Sequence, residues 1–466
     1  VPTCFREVAF ASLVRVRVLL SLELAGDSSV RVNLSTRTAL RASPLALLAA
    51  LTCIAGTAHA SPQDLFGYGG RTPGLAMTGT SYAEGYEAVY ANPAGLAPVR
   101  RRGLILGAHG AGYQVNLDGE RQILEPARGM SIGFHLPLPF GDVLQDRLVF
   151  GGAFFTPAAA LMLGRVQFPE VPQFTVLDRG QVLAIQVGLG VDLHGLVDGL
   201  SLGVGVSALA DVVGQLDVRL DETNAFSSVV ETQLLTAFAP IVGVRYARPE
   251  WGVGVTYRHE LAAHMDLQIR TADLPLTLPT LTVGGVVQYD PTTLLVEGYY
   301  RPIPDLMVVL NLTTRFWDAF PGAQIPTTEM GRNAPAPGFS ITPSPRVAVE
   351  GTFRDPNFEL ALRGGYAYEP TPAPAARIGL RRNAMGAPVP GTETPLRILD
   401  NDRHILTAGA GWTIRLGERE RLILDLYGQV HILAPRTHEI GQTDTAPPMV
   451  TDGYVLAAGW TLGLEF

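Results

Sequence analysis

From Gly103 to Phe466, apolar and polar positions alternate in runs separated by clusters of Gly, Pro, Asp and Asn. Side chains change faces with period two along a strand, so these runs read as strands with one apolar face. Fourteen are expected, at about 103–115, 128–136, 147–157, 181–193, 199–220, 231–248, 251–271, 278–301, 305–317, 345–354, 358–369, 403–414, 421–434 and 454–466. The eighth is taken as one long strand broken at Asp290-Pro291. In the ninth, Leu306, Val308, Leu310, Leu312 and Phe316 share one face, and Asn311, Thr313, Arg315 and Trp317 the other. In the thirteenth, Leu422, Leu424, Leu426 and Ile432 oppose Asp425, Gln429 and His431. In the last, Trp460, Leu462, Leu464 and Phe466 lie on one side.

The connections alternate too. Those after even-numbered strands are mostly tight, such as Pro249-Glu250 and residues 302–304, 355–357 and 415–420. Most after odd-numbered strands are long, at about 157–180, 318–344, 370–402 and 435–453. Short turns at one end and long loops at the other are the mark of an outer-membrane barrel, and a soluble sandwich has no reason to segregate them. The fold class expected is therefore all-β, an antiparallel transmembrane barrel of fourteen strands spanning residues 103–466. Its apolar face meets lipid. An Arg there at mid-depth costs about 2–4 kcal/mol, so Arg258, Arg315 and Arg363 are expected to point inward. They pair there with acids such as Glu260, Glu350, Glu359 and Asp425, or contact a ligand carboxylate.

The start of the chain supports export. Residues 44–56 form a short apolar run, preceded by Arg37 and Arg41 and followed by Ala58-His59-Ala60. Basic flank, short apolar core and A-x-A site read as a signal peptide cleaved after Ala60. The run is too short to span a bilayer as a helix. Thr52 before Cys53 argues against a lipoprotein site. Residues 1–36 lie upstream of an ordinary signal peptide, so 1–60 stand outside the fold reasoning.

Both cysteines, Cys4 and Cys53, fall in that presequence, which rules out a disulfide framework or cysteine metal site in residues 61–466. No lysine occurs, so all 35 basic residues are Arg, and a bound anion has to be held by Arg, His or backbone. Removing the six Arg and three acids of residues 1–60 leaves 29 Arg against 40 acids, a balance of −11. Such a surface argues against a nucleic-acid partner.

Residues 61–102 do not continue the strand pattern. Residues 61–70 read as loop, and 83–90 as a short helix. Asn92-Pro93-Ala94-Gly95-Leu96-Ala97 then begins with a turn, Pro93 fixing φ and removing a donor. This hexapeptide resembles the hatch motif of the FadL-like outer-membrane transporters of long-chain fatty acids and other hydrophobic compounds. The resemblance extends over Arg346 to Pro374, over Asp402-Arg403-His404 with Gly409-Ala410-Gly411, and over the final strand to Phe466.

It implies a hatch, residues 61–102, folded into the barrel lumen, with Asn92, Pro93, Ala94 and Gly95 at the gate. It also implies passive transport with lateral exit at a kinked third strand, where Gly151, Gly152 and Pro157 are the candidates. Arg315, Arg363 and Arg258 become candidate contacts for a ligand carboxylate. Trp460, Leu462, Leu464 and Phe466 form the assembly signal read by the barrel-assembly machinery of a Gram-negative cell. The expected partners are a hydrophobic small molecule and outer-membrane lipid, and the expected state is a monomer. A family site built on lysine has no counterpart here.

Other chemistry is thin. Neither H-E-x-x-H nor G-x-S-x-G occurs, and Gly188-Leu189-Gly190 and Gly203-Val204-Gly205 lie inside strands, where they reduce bulk on the wall rather than cradle phosphate. Asp400-Asn401-Asp402 reads as a turn, not a calcium loop. His109, His135, His259 and His431 have no Ser or Asp partner readable from spacing. No metal, cofactor or enzymatic activity is expected. A hydrophobic-solute channel predicts an apolar lumen pocket with a few polar groups. The rival classes are a general porin, a barrel lipid hydrolase, and a surface receptor or adhesin using loops 318–344 and 370–402.

Overall fold

The computed structural model describes residues 62–140, 147–158, 162–163, 174, 176–177, 181–220, 226–272, 281–322, 337–374, 377–382, 388–396, 398–417, 420–438 and 449–466, besides strands at 12–22 and 30–40. The expected apolar run 44–56 and the cleavage site after Ala60 lie outside the described residues.

Fourteen strands close a barrel. They are β1 (Gly103–Leu117), β2 (Ala127–Pro137), β3 (Leu148–Pro157), β4 (Ala184–Asp192), β5 (Leu200–Leu220), β6 (Phe226–Ala247), β7 (Trp251–Arg258 and Leu261–Ala272), β8 (Leu281–Asp290 and Thr293–Ile303), β9 (Leu306–Arg315), β10 (Thr342–Arg354), β11 (Phe358–Glu369), β12 (Arg403–Arg415), β13 (Arg421–His438) and β14 (Met449–Glu465). Neighbours pair antiparallel in chain order, and β14 closes on β1 from Glu465↔Gly103 to Thr451↔Leu117. Arg102 and Phe466 exchange two backbone hydrogen bonds of 3.1 and 3.0 Å, which ties the seam. Closure matters because hydrocarbon offers no partner for an unpaired backbone group.

Facing follows the alternation. Leu310, Leu312, Leu426, Ile432, Trp460, Leu462, Leu464 and Phe466 lie on the outside, while Asn311, Thr313, Arg315, Asp425, Gln429 and His431 are buried within. Arg258, Arg315 and Arg363 all point inward, where they line cavities inside the barrel.

Two features differ from the sequence reading. The break in β8 at Pro291 is present, and a matching one splits β7 at His259-Glu260. The two face each other, with Arg258↔Thr293 below and Leu261↔Asp290 above. Pro291 supplies no ladder donor, so the partner strand loses its register at the same height. Beyond the break, the outer half of β7 also pairs in parallel with β5, from Val212↔Met265 to Arg219↔Ala272.

The second difference is in the lumen. Residues expected as loop begin with helix α1 (Pro62–Phe66), followed by α2 (Arg71–Gly74), α3 (Tyr86–Ala91) and a 3-10 turn at Pro93–Leu96. Pro at the first helical position costs nothing, since its missing N–H is one that a helix start leaves unbonded. Turns this short are marginal alone, and the surrounding wall holds them.

Leu310 is 64% exposed on the outer face. Leu310→Arg is expected to lower stability by about 2–4 kcal/mol in a denaturant titration of barrel refolded into lipid.

Candidate functional site: the hatch and the lumen around it

The hexapeptide starting at Asn92 is the inner end of the hatch. Asn92 is fully buried, and each of its polar atoms is used. Its Nδ2 donates to Thr80 O at 2.7 Å and to Val244 O of β6 at 3.1 Å. Its Oδ1 accepts from Ala94 N at 3.0 Å, capping the 3-10 turn that Pro93 opens. The turn lies directly on the wall because the wall is glycine there. A Cβ at Gly203 would overlap Ala94 N and Pro93 C, one at Gly243 would overlap Asn92 Oδ1, and one at Gly190 would come within 2.6 Å of Ala97 N. The strand glycines therefore make a flat seat for the Asn92–Ala97 turn. Gly151 belongs to the same seat, its Cβ position lying 2.7 Å from Leu96 and Val89.

Side chains of the wall hold the rest of the hatch through its backbone. Glu297 on β8 accepts from Gly79 N at 2.9 Å and from Ser81 N and Oγ at 2.7 Å each, and Asn311 donates to it at 2.9 Å. Gln429 on β13 donates to Phe66 O and Pro73 O at 3.0 Å. Thr407 on β12 bridges Gly74 O and Ala76 N at 3.0 Å. Arg346 on β10 donates to Ala76 O and Met77 O at 3.1 and 3.2 Å. Within the hatch, Glu87 accepts from Gly70, Arg71 and Thr72 N. Burial, with Asp425 close by, pushes the Glu87 carboxyl up to about 7, against the backbone N–H of Arg71 and its guanidinium, which favour the charged form.

Two of the three candidate arginines are consumed by acids. Arg315 pairs with Asp64 of α1 and with Glu369 at 3.0 Å each, and Glu369 also binds Arg346 and Arg403 at 2.8 Å. Arg363 pairs with Glu350 at 2.8 Å and with Asp425, and Arg71 joins through Glu350 at 2.6 Å. Arg258 differs. Its guanidinium lies 4.0 Å from the centroid of the Tyr90 ring, and its Nε has no hydrogen-bond partner. It lines a cavity of about 30 Å³ with Tyr90, Leu209, Ile241 and Leu261. Of the acids expected as partners, Glu359 pairs with Arg354 at the rim and Glu260 accepts from Tyr289.

Polarity is graded along the barrel axis. Toward the long loops, buried Leu65, Phe66, Tyr113, Leu433 and Val455 form one apolar cluster, with loop residues Phe174 and Leu177 added. Val286, Tyr289, Trp317, Phe320 and Phe339 form a second, and Phe155, Leu209 and Leu261 a third. Toward the short turns lies a cavity of about 470 Å³ lined by charged residues, among them Arg71, Glu84, Glu350 and Arg363, with the His135 ring beside them. The large cavity is thus a polar vestibule rather than the apolar pocket expected, because aromatic loop residues fill the space above the hatch.

The remaining candidates are placed as follows. The ladders of β3 with β2 and β4 run unbroken through Gly151 and Gly152, and Pro157 is the last residue of β3. Thr371 and Tyr368 bind the carboxylates of Asp400 and Asp402, so that segment is a pinned turn. His109 has a partner that spacing did not reveal, since β1 and β2 bring its Nε2 to 2.9 Å from Ser131 Oγ, and its Nδ1 lies 2.9 Å from Tyr427 Oη. The pair faces the lumen, and no carboxylate hydrogen bond to His109 is present among the described residues.

No protein-family model and no curated protein matches the sequence. Among solved structures, a FadL homologue from Pseudomonas aeruginosa aligns over 85% of this chain and 97% of its own, at 15% identity and a TM-score of 0.54. The deltaS2S3 mutant of the monoaromatic hydrocarbon channel TodX aligns over 86% of this chain and 100% of its own, at 13% identity and a TM-score of 0.51. The chain has the FadL-type barrel fold. That fold is an outer-membrane architecture, and here it keeps the hatch in the lumen although nearly all side chains differ.

The seat of the FadL-type hatch gives a direct test. Gly203→Leu is expected to displace the Asn92–Ala97 turn while the barrel assembles. Planar-bilayer recordings should show persistent open steps from the variant and quiet traces from the parent, with heat-modifiable gel migration unchanged.

Proposed function

We propose that this protein is a passive outer-membrane channel for hydrophobic small molecules, with long-chain fatty acids as the first class to try. The observation that carries this reading is a lumen apolar above, polar below, and closed between by a hatch whose backbone is tied to the wall. An apolar solute gains from leaving water at the upper clusters. It gains nothing from the charged vestibule, so a hatch shift rather than an open bore is what admits it. Arg258, the one candidate arginine without an acid in contact among the described residues, is the preferred contact for a carboxylate end. Exit into the membrane plane at Gly151, Gly152 and Pro157 would require the β3 ladder to open locally.

The FadL homologue and the TodX monoaromatic hydrocarbon channel, whose folds this chain shares, support the same class by analogy. A general porin fits poorly with a pinned hatch. A lipid hydrolase needs its Ser and His on the lipid side, whereas His109 and Ser131 face inward. An adhesin would work through loops that lie partly outside the described residues.

Cells lacking their own fatty-acid transporter and expressing residues 61–466 behind a signal peptide are expected to take up labelled oleate. Asn92→Ala removes two hydrogen bonds within the hatch and one to Val244 O of the wall, loosens the seated turn by about 2–3 kcal/mol, and should raise uptake with surface assembly intact. Unchanged uptake in a correctly assembled variant would remove the gate role.

A further inference from the structure

Gln63, on helix α1, is only 3% exposed, and neither its Nε2 nor its Oε1 has a hydrogen-bond partner. A buried amide in that condition costs about 1–3 kcal/mol per unsatisfied group, so a native fold keeps one only where something else fixes it. Here the neighbours fix it. Asp64, next in sequence, is held by Arg315 at 3.0 Å. Phe66 is held through its carbonyl by Gln429 at 3.0 Å and packs edge-on against His431 at 5.5 Å. Gly67 N donates to Gln63 O at 2.8 Å. The helix cannot turn the amide toward a partner without giving up these contacts.

The amide also stands where two cavities meet. On one side is a mostly apolar space of about 20 Å³ bounded by Phe66, His109, Phe155 and Tyr427. On the other is a space of about 20 Å³ bounded by Tyr90, Arg258, Thr313 and Arg315. Both nitrogens of His109 are already engaged, and Arg315 is saturated by acids. Gln63 is therefore the group at this junction that offers both a free donor and a free acceptor and lines both spaces; Thr80 Oγ1, Arg258 Nε and Arg346 Nε, also without a partner, border only the second. Each space admits about one water, or one ligand oxygen.

We propose that Gln63 reads a single polar end group, a hydroxyl or a protonated carboxyl, on an otherwise apolar solute, so that the hatch discriminates against plain hydrocarbons. This rests on the hydrophobic-channel reading and narrows it. The solute's oxygen accepts from Nε2 and its O–H donates to Oε1, satisfying both orphaned atoms together. A solute without oxygen leaves both unpaired, which is how a built hydrogen-bonding site rejects an analogue.

The test is equilibrium binding of radiolabelled 1-naphthol and naphthalene to the purified barrel, with oleate uptake measured on the same protein. Burial alone favours naphthalene, because the hydroxyl has to leave water. The proposal expects 1-naphthol to bind about tenfold tighter, the equivalent of one net hydrogen bond. In Gln63→Met, close to isosteric, that preference should vanish with naphthalene affinity unchanged. Equal affinities in the parent protein would overturn the proposal even if the variant failed to fold. A preference that survives in Gln63→Met means the amide holds only a water, and equal loss of both ligands means α1 has a packing role; either result overturns it. Absence of both binding and oleate uptake would overturn the channel reading itself, whereas intact uptake with no preference removes the Gln63 assignment alone.

Discussion

A closed strand ladder uses its backbone groups on itself, and the rest of this structure follows from that. The wall's backbone N–H groups are committed to the ladder, and only a few of its carbonyls, such as Val244 O and Ile132 O, take a second hydrogen bond from the segment inside it. The hatch, for its part, has mostly irregular backbone, whose buried polar groups need partners in a space shielded from bulk water. Wall side chains resolve both demands. Glu297, Gln429, Thr407 and Arg346 reach into the lumen and terminate hatch N–H and C=O groups directly. The inward polar residues of β8 to β13 are in this sense the hatch's missing hydrogen-bond partners.

That constraint also sets which charges remain for a ligand. Arg315, Arg346 and Arg403 converge on Glu369, and Arg71 and Arg363 on Glu350. Breaking one such buried pair strands its partner, so these groups hold geometry rather than wait for a solute. Arg258, stacked on Tyr90, and Gln63, with no side-chain hydrogen-bond partner, lie outside these ion pairs. They sit beside neighbouring cavities, between the apolar clusters and the hatch.

Much of this was legible in the sequence, and the limits have physical causes. The strands and their facing could be read because period-two alternation is local, as Leu310 and Leu312 against Asn311 and Thr313 illustrate. The turn at Asn92 and Pro93 was visible because its chemistry is also local. The partners of the hatch were not, because Glu297 meets Gly79 across 218 positions and Gln429 meets Phe66 across 363. Helix α1 was missed because its stability comes from Arg315 and Gln429 rather than from its five residues. The break in β7 was missed because its cause, Pro291, lies on the neighbouring strand. Ser131 escaped notice as the partner of His109 because β1–β2 register, not spacing, brings them together.

The central claim is that solute passes only when the hatch leaves its seat. Residues 61–466 contain no cysteine, so a single introduced disulfide can be read cleanly. Val89 Cγ2 lies 2.7 Å from where a Cβ on Gly151 would be, close to what a disulfide requires. Labelled-oleate uptake through the Val89→Cys, Gly151→Cys double variant, compared oxidised and reduced, tests the claim most directly. The account predicts that uptake stops on oxidation and returns on reduction. Equal uptake in both states, with the disulfide verified, would contradict it.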